Sequence, residues 1–182
     1  SNNRRYFQEA LLRAEGLKEF GSLIPPQNQI EQHREVFTGY TSSLHQQIQV
    51  SLLAFTAGVS VAADLWEGAY DTHTNNDVKQ GALLSNTTDA VDYLWTTAES
   101  LGLADRIVLL IGSDFGRTPH YNSGDGKDHW PIGSTIVMEK NADYTNRVMG
   151  ATDEGHNALR VNAQDGTPDP INGVTILPSH VH

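Results

Sequence analysis

Apolar spacing along the chain gives the first expectations, because a period near 3.6 marks a helix and a period of 2 or an unbroken apolar run marks a strand. From Arg4 to Phe20 the residues Phe7, Leu11, Ala14 and Leu17 recur at helical spacing, and Gly21 stands where a helix would stop. Ile24-Pro25-Pro26 breaks the pattern, since the residue before a proline avoids the α region. A second helix is predicted after Thr41 or Ser42, with Leu44, Ile48, Leu52 and Phe55 on one face and an end near Gly58. Val59 to Leu65 reads as a short buried strand, and Trp66 to about Gln80 as a polar loop. A third helix is predicted from about Thr88 to Leu101, with Val91, Leu94, Trp95, Ala98 and Leu101 inward and Gly102 as its left-handed cap. Arg106 to Ile111 is nearly all apolar, the pattern of a parallel strand covered on both faces. Ser134 to Met138 and Gly173 to Leu177 read as further strands, with a turn at Asp165-Gly166-Thr167-Pro168. Helix and strand in alternation predict an α/β fold. With no repeat or linker, residues 1–182 read as one domain, of which 1–40 form a helical lead-in.

Composition narrows the chemistry. Twelve basic against 22 acidic residues give a net charge of −10, which repels a polyanion and excludes nucleic acid and anionic membrane surfaces as partners. No apolar run reaches the roughly 20 residues of a membrane span, and no apolar segment follows Arg4-Arg5 as a signal peptide requires. Cysteine is absent, so disulfides, thiol nucleophiles and thiolate metal sites are excluded together. Eight histidines in this acidic background direct attention to oxygen and imidazole ligands.

Two loops carry such groups where an α/β sheet would present them. In Tyr70-Asp71-Thr72-His73-Thr74, a locally extended backbone would send Asp71 and His73 to the same side, where a carboxylate and an imidazole can hold a divalent cation. A solvated polar loop is the competing reading. The second loop runs Gly112-Ser113-Asp114-Phe115-Gly116-Arg117 and on to Lys127-Asp128-His129-Trp130. Asp114 follows the apolar run directly, and Arg117 is suited to clamp an oxyanion or to form an ion pair. Asp128-His129 adds another adjacent carboxylate and imidazole. His33 and His45 fall in helical stretches and read as surface residues; His120 borders the second loop, and His156, His180 and His182 are weaker candidates. Asp114-Phe115-Gly116 and Gly126-Lys127 imitate kinase and phosphate-loop signatures but lack the residues that accompany them.

Asp71-Thr72-His73, Ser113-Asp114-Phe115-Gly116-Arg117-Thr118, Lys127-Asp128-His129-Trp130 and Gly150-Ala151-Thr152-Asp153-Glu154 occur in that order. From about Gly39 to its end the chain thereby resembles a bacterial family of uncharacterised exported proteins of the alkaline phosphatase/sulfatase superfamily. That resemblance implies a three-layer α/β core with a mostly parallel sheet, incomplete at its N-terminus. It implies a metal-dependent hydrolase of phosphate or sulfate esters, with Asp71, His73, Asp114 and His129, joined by Asp128, holding zinc, manganese or calcium. Arg117 becomes the oxyanion contact, and the substrate a small-molecule or polysaccharide ester. Asp114 stands where the family usually has glutamate, and Phe115 near another ligand position. Resemblance also implies a periplasmic or extracellular location and a chain that is the C-terminal portion of a longer one without the family's nucleophile segment; such a portion would leave a sheet edge unpaired, from which a homo-oligomer is expected. Leu177 to His182 resemble a point just before the family's closing helix. A non-catalytic exported binding protein on the same scaffold is the alternative.

Overall fold

The computed structural model describes residues 2–177, with side chains from residue 12 onward. The chain divides into two compact units, one running to Arg106 and the other starting at Ile107.

The first unit is built on three helices and one hairpin. Helix α1 (Asn2–Leu23) runs through Gly21 and ends only where Ile24 precedes Pro25, so the proline pair rather than the glycine sets its end. Leu17, expected on its inner stripe, is exposed, and the side chains of Phe7 and Leu11 lie outside the described residues. The hairpin pairs β1 (Arg34–Phe37) with β2 (Tyr40–Ser42), and Phe37 stacks on Tyr40 across its turn. Helix α2 (Leu44–Thr56) follows directly. Ser42 Oγ accepts the free N–H of Leu44 and the amide of Asn86 while donating to Glu67, so one hydroxyl starts the helix and ties it to the next one.

Helix α3 (Asn76–Ser100) is longer than the apolar pattern predicts, because it begins twelve residues before Thr88. Its buried positions Asn76, Leu83 and Ala90 fall seven residues apart, a stripe too narrow for periodicity to reveal. Leu94 and Ala98 continue it and pack with Leu44, Ile48 and Leu52 of α2 to form the core. Each fully buried leucine contributes about 1.5–3 kcal/mol of transfer free energy. Both helices end in the same way: Gly58 and Gly102 take φ +67°, and the N–H groups of Val59 and Leu103 reach back to Ala54 and Ala98.

His45 is 1% exposed in this core, not on the surface. Its Nε2 lies 2.9 Å from Asp89 Oδ2, which Arg34 also meets, and its Nδ1 is buried with no hydrogen-bond partner. His33 lies ahead of β1 and bonds Gln46. Val59 to Leu65 is an exposed coil with Val61 wholly in solvent, and the strand expected there is absent.

Tyr40 donates to Glu67 Oε1 at 2.6 Å and accepts from the N–H of Gly68. Burial, reinforced by the Glu67 carboxylate, pushes its phenol up to about 12. The folded state therefore favours the neutral phenol. That contribution is complete below the ordinary tyrosine value of about 10 and is lost as pH rises through about 12. Urea midpoints of the protein are expected to fall between those limits more steeply than those of Tyr40→Phe; parallel pH profiles would contradict the assignment.

In the second unit β3 (Val108–Ile111) pairs antiparallel with β6 (Ile136–Glu139), and β4 (Gly116–Arg117) with β5 (His129–Trp130). The mostly parallel, three-layer α/β core is thus overturned: among the described residues every sheet has two antiparallel strands. Parallel pairing needs a long crossover, usually a helix, and the segment joining β3 to β6 instead holds the β4–β5 hairpin. The apolar run of β3 is not covered on both faces, for Val108 and Leu110 are about half exposed. From the end of β6 to residue 177 the backbone is irregular. Gly173 to Leu177 contributes only an isolated bridge from Val174 to Val161, although the turn at Gly166 forms as expected. Val161 is the one fully buried apolar side chain of this unit among the described residues, so hydrogen-bonded turns do much of its organising.

Candidate metal and anion sites

In the first unit the Asp71-Thr72-His73 loop is fixed from its middle. Thr72 is fully buried; its hydroxyl donates to Asn76 Oδ1 at 2.7 Å and accepts from Gln80 Nε2 at 3.0 Å. Gln80 also holds the carbonyl of Tyr70, and Asn75 turns the chain into α3 with a left-handed backbone, φ +50°. With Thr72 inward, backbone alternation turns its neighbours outward. Asp71 and His73 are exposed and converge, His73 Nε2 standing 3.0 Å from Asp71 Oδ1. Ligand atoms about 2.1 Å from one cation stand roughly 3.0 Å apart in an octahedron and about 3.4 Å in a tetrahedron, so this pair has chelating spacing.

In the second unit the remaining sequence candidates lie along the β4–β5 hairpin and the turn before it. Asp114 follows β3 as expected, but its Oδ1 accepts from the N–H of Phe115 at 3.0 Å, which folds the carboxylate onto its own turn. Phe115 packs its ring on His129, centroids 4.2 Å apart, and so serves to orient that imidazole. Asp128 accepts from Asn122 Nδ2 at 3.1 Å, while its backbone bonds both the N–H and the hydroxyl of Thr118. Asn122 Oδ1 in turn receives the N–H groups of Gly124 and Gly126, which closes the hairpin loop.

Arg117 sits opposite His129 in the β4–β5 register and donates from Nη1 to the carbonyl of Lys127 at 3.0 Å. It lines a cleft of about 240 Å³ together with Lys127, Trp130, Ile132, Thr152 and His156. The indole N–H of Trp130 donates to the carbonyl of His156 at 3.1 Å. His156 has φ +58° and closes a turn in which Asp153 Oδ1 receives the N–H of Asn157 at 2.8 Å. That bond is the main reason the Asp153 carboxyl lies below the usual aspartate value.

Sequence reasoning nominated Arg117 and did not find Lys127, Trp130 or Thr152 as its companions. The signal was present: two basic residues flank a loop whose Asn122, Gly124 and Gly126 mark a tight turn, and a hairpin brings such ends together. His120 contributes its backbone carbonyl to Thr118, and His180 and His182 lie outside the described residues. Among the described residues no helix is long and apolar enough to cross a membrane.

Comparison with known proteins corrects the superfamily assignment. No alkaline phosphatase or sulfatase family matches, so the membership inferred from the motifs does not stand. No curated protein and no solved structure matches the chain. A family match does cover all four motifs; it begins ahead of Gly39 and stops at residue 164 instead of running to the end. Over residues 26–164 the chain matches DUF1501, described as a protein of unknown function, and it belongs to that family.

Proposed function

We propose that the protein is a divalent-cation-dependent hydrolase of phosphate or sulfate esters, in which Asp71 and His73 of the first unit hold the cation. The Asp71–His73 pair carries this reading. A merely solvated loop has no need of a fully buried threonine, bonded on both sides of its hydroxyl, beneath two converging ligand atoms. Asp71 supplies negative charge, and His73 supplies a neutral imidazole when Nε2 is unprotonated. An imidazole in the donor set suits zinc or manganese better than calcium, which prefers oxygen throughout. A bound cation would polarise the ester oxygen as a Lewis acid. Within the second unit, Arg117, anchored to the Lys127 carbonyl, is suited by itself to hold an oxyanion group.

Two measurements test the proposal. Metal content after incubation with Zn²⁺, Mn²⁺ or Ca²⁺ and desalting is expected to show bound zinc or manganese. Asp71→Ala and His73→Ala should each lower affinity about tenfold or more. Turnover of p-nitrophenyl phosphate or sulfate is expected to require the ion and to vanish in both variants. Unchanged cation affinity in the two variants would remove the pair from the site.

A non-catalytic binding protein is favoured by one observation, the Asp114 carboxylate folded onto its own turn and thereby committed to local structure. Cation binding that depends on Asp71, with no turnover of either ester, would select that reading.

A further inference from the structure

We infer that the cleft of the second unit binds a small organic anion, an oxyanion group held by Arg117 and Lys127 with an apolar body of about one ring against Trp130 and Ile132. The inference goes beyond the proposed function, for it concerns the second unit alone and takes Arg117 as the anion contact.

Charge gives the first argument. The chain carries a net charge of −10, yet the side chains lining this cleft include an arginine, a lysine and a histidine and no carboxylate. Acidic residues outnumber basic ones almost two to one along the chain, so a wall with two permanent cations and no carboxylate departs from the average, with Asp153 acting on His156 from behind that wall.

Preorganisation gives the second. The Arg117 guanidinium is fixed by its bond to the Lys127 carbonyl, which orients its plane before any ligand arrives. Lys127 Nζ lies 4.8 Å from the centroid of the Tyr121 ring and 3.4 Å from the Pro119 carbonyl, so the ammonium is held by weak contacts that an anion can outbid. Trp130 spends its indole N–H on the His156 carbonyl, so the surface it gives to the cleft is hydrocarbon. Ile132 extends that surface.

Size gives the third. At about 240 Å³ the cleft is smaller than the roughly 300 Å³ at which pockets begin to enclose drug-sized ligands. A ring bearing one phosphate or sulfate suits it, and a nucleotide does not.

The test is calorimetric titration of the full chain in EDTA, with phenyl phosphate, phenol and inorganic phosphate as probes. Phenyl phosphate is expected to bind about tenfold or more tightly than either half, and more weakly as NaCl is raised. Arg117→Gln and Lys127→Gln should each weaken it about tenfold. Ile132→Ala should weaken phenyl phosphate and leave inorganic phosphate unchanged. Because Arg117 also ties the hairpin, Lys127→Gln is the decisive variant, with its circular dichroism and melting temperature matched to the parent. Phenol or inorganic phosphate binding as tightly as phenyl phosphate would overturn the inference, as would unaltered binding in a folded Lys127→Gln. Phenyl phosphate binding in the chelator without metal-dependent ester turnover would keep this inference and remove the proposed function. Turnover without such binding would do the reverse.

Discussion

Gly116→Ala is expected to break the β4–β5 pairing and abolish phenyl phosphate binding by the second unit. A Cβ at position 116 would lie 2.0 Å from the carbonyl oxygen of Ile132 and 3.1 Å from its carbon. Those atoms are backbone, so no rotamer change relieves the collision, and the strand itself has to move. Overpacking in a core commonly costs about 1–3 kcal/mol, and a backbone clash belongs at the upper end. The unit has little to set against it, with Val161 its one fully buried apolar side chain among the described residues. Arg117 is the adjacent residue on β4 and Ile132 lines the same cleft, so displacement at Gly116 moves two walls at once. Backbone amide spectra of the variant should lose the native positions of residues 114–133, and the melting temperature should fall. Native spectra with intact phenyl phosphate binding would contradict this close approach.

Leu83→Ala is expected to destabilise the first unit by about 2–5 kcal/mol. Leu83 is fully buried at the seam of α2 and α3, where Ile48 and Leu52 are 3% and 2% exposed. Truncation removes the transfer free energy of the lost carbons and leaves a cavity that two long helices cannot readily close. The next residue supplies the control. Leu84 is 54% exposed, and its alanine variant should stay within about 0.5 kcal/mol of the parent. Urea unfolding followed by helical circular dichroism reads both, as a shift of midpoint at constant slope. Equal effects at positions 83 and 84 would show that the helix faces are misassigned.

The elements legible in the sequence are those with wide apolar stripes or strong stop signals. Leu44, Ile48 and Leu52 located α2, Gly58 and Gly102 marked two helix ends, and Ile136 to Met138 located β6. The first half of α3 was hidden because its buried face advances one residue every two turns and one of those residues is Asn76. His45 was misjudged although it stands three residues before Ile48 and seven before Leu52, on the buried stripe. Its partner Asp89 lies 44 residues away on another helix, which no local pattern reveals. The parallel sheet rested on helix and strand in alternation, on the apolar run of residues 106–111 and on the family resemblance, and an apolar run does not distinguish a strand buried on both faces from one half in water.

At the candidate sites, side-chain alternation correctly brought Asp71 and His73 together, since an inward Thr72 leaves its neighbours no other direction. The cleft required contacts from Lys127, Thr152 and His156 that only the folded loops provide.

The β3–β6 ribbon has a practical consequence at the bench. Val108, Leu110 and Ile136 stand 53%, 50% and 54% exposed on the native protein. Environment-sensitive dyes such as anilinonaphthalene sulfonate brighten on such surfaces, and their emission is customarily taken as a sign of partly unfolded chains. This protein should light them while fully folded, so dye-based melting curves will start from a high baseline. The intrinsic emission of a Trp66→Phe, Trp130→Phe variant reports Trp95 alone, whose indole nitrogen is buried beside the helical core, and is the better thermometer.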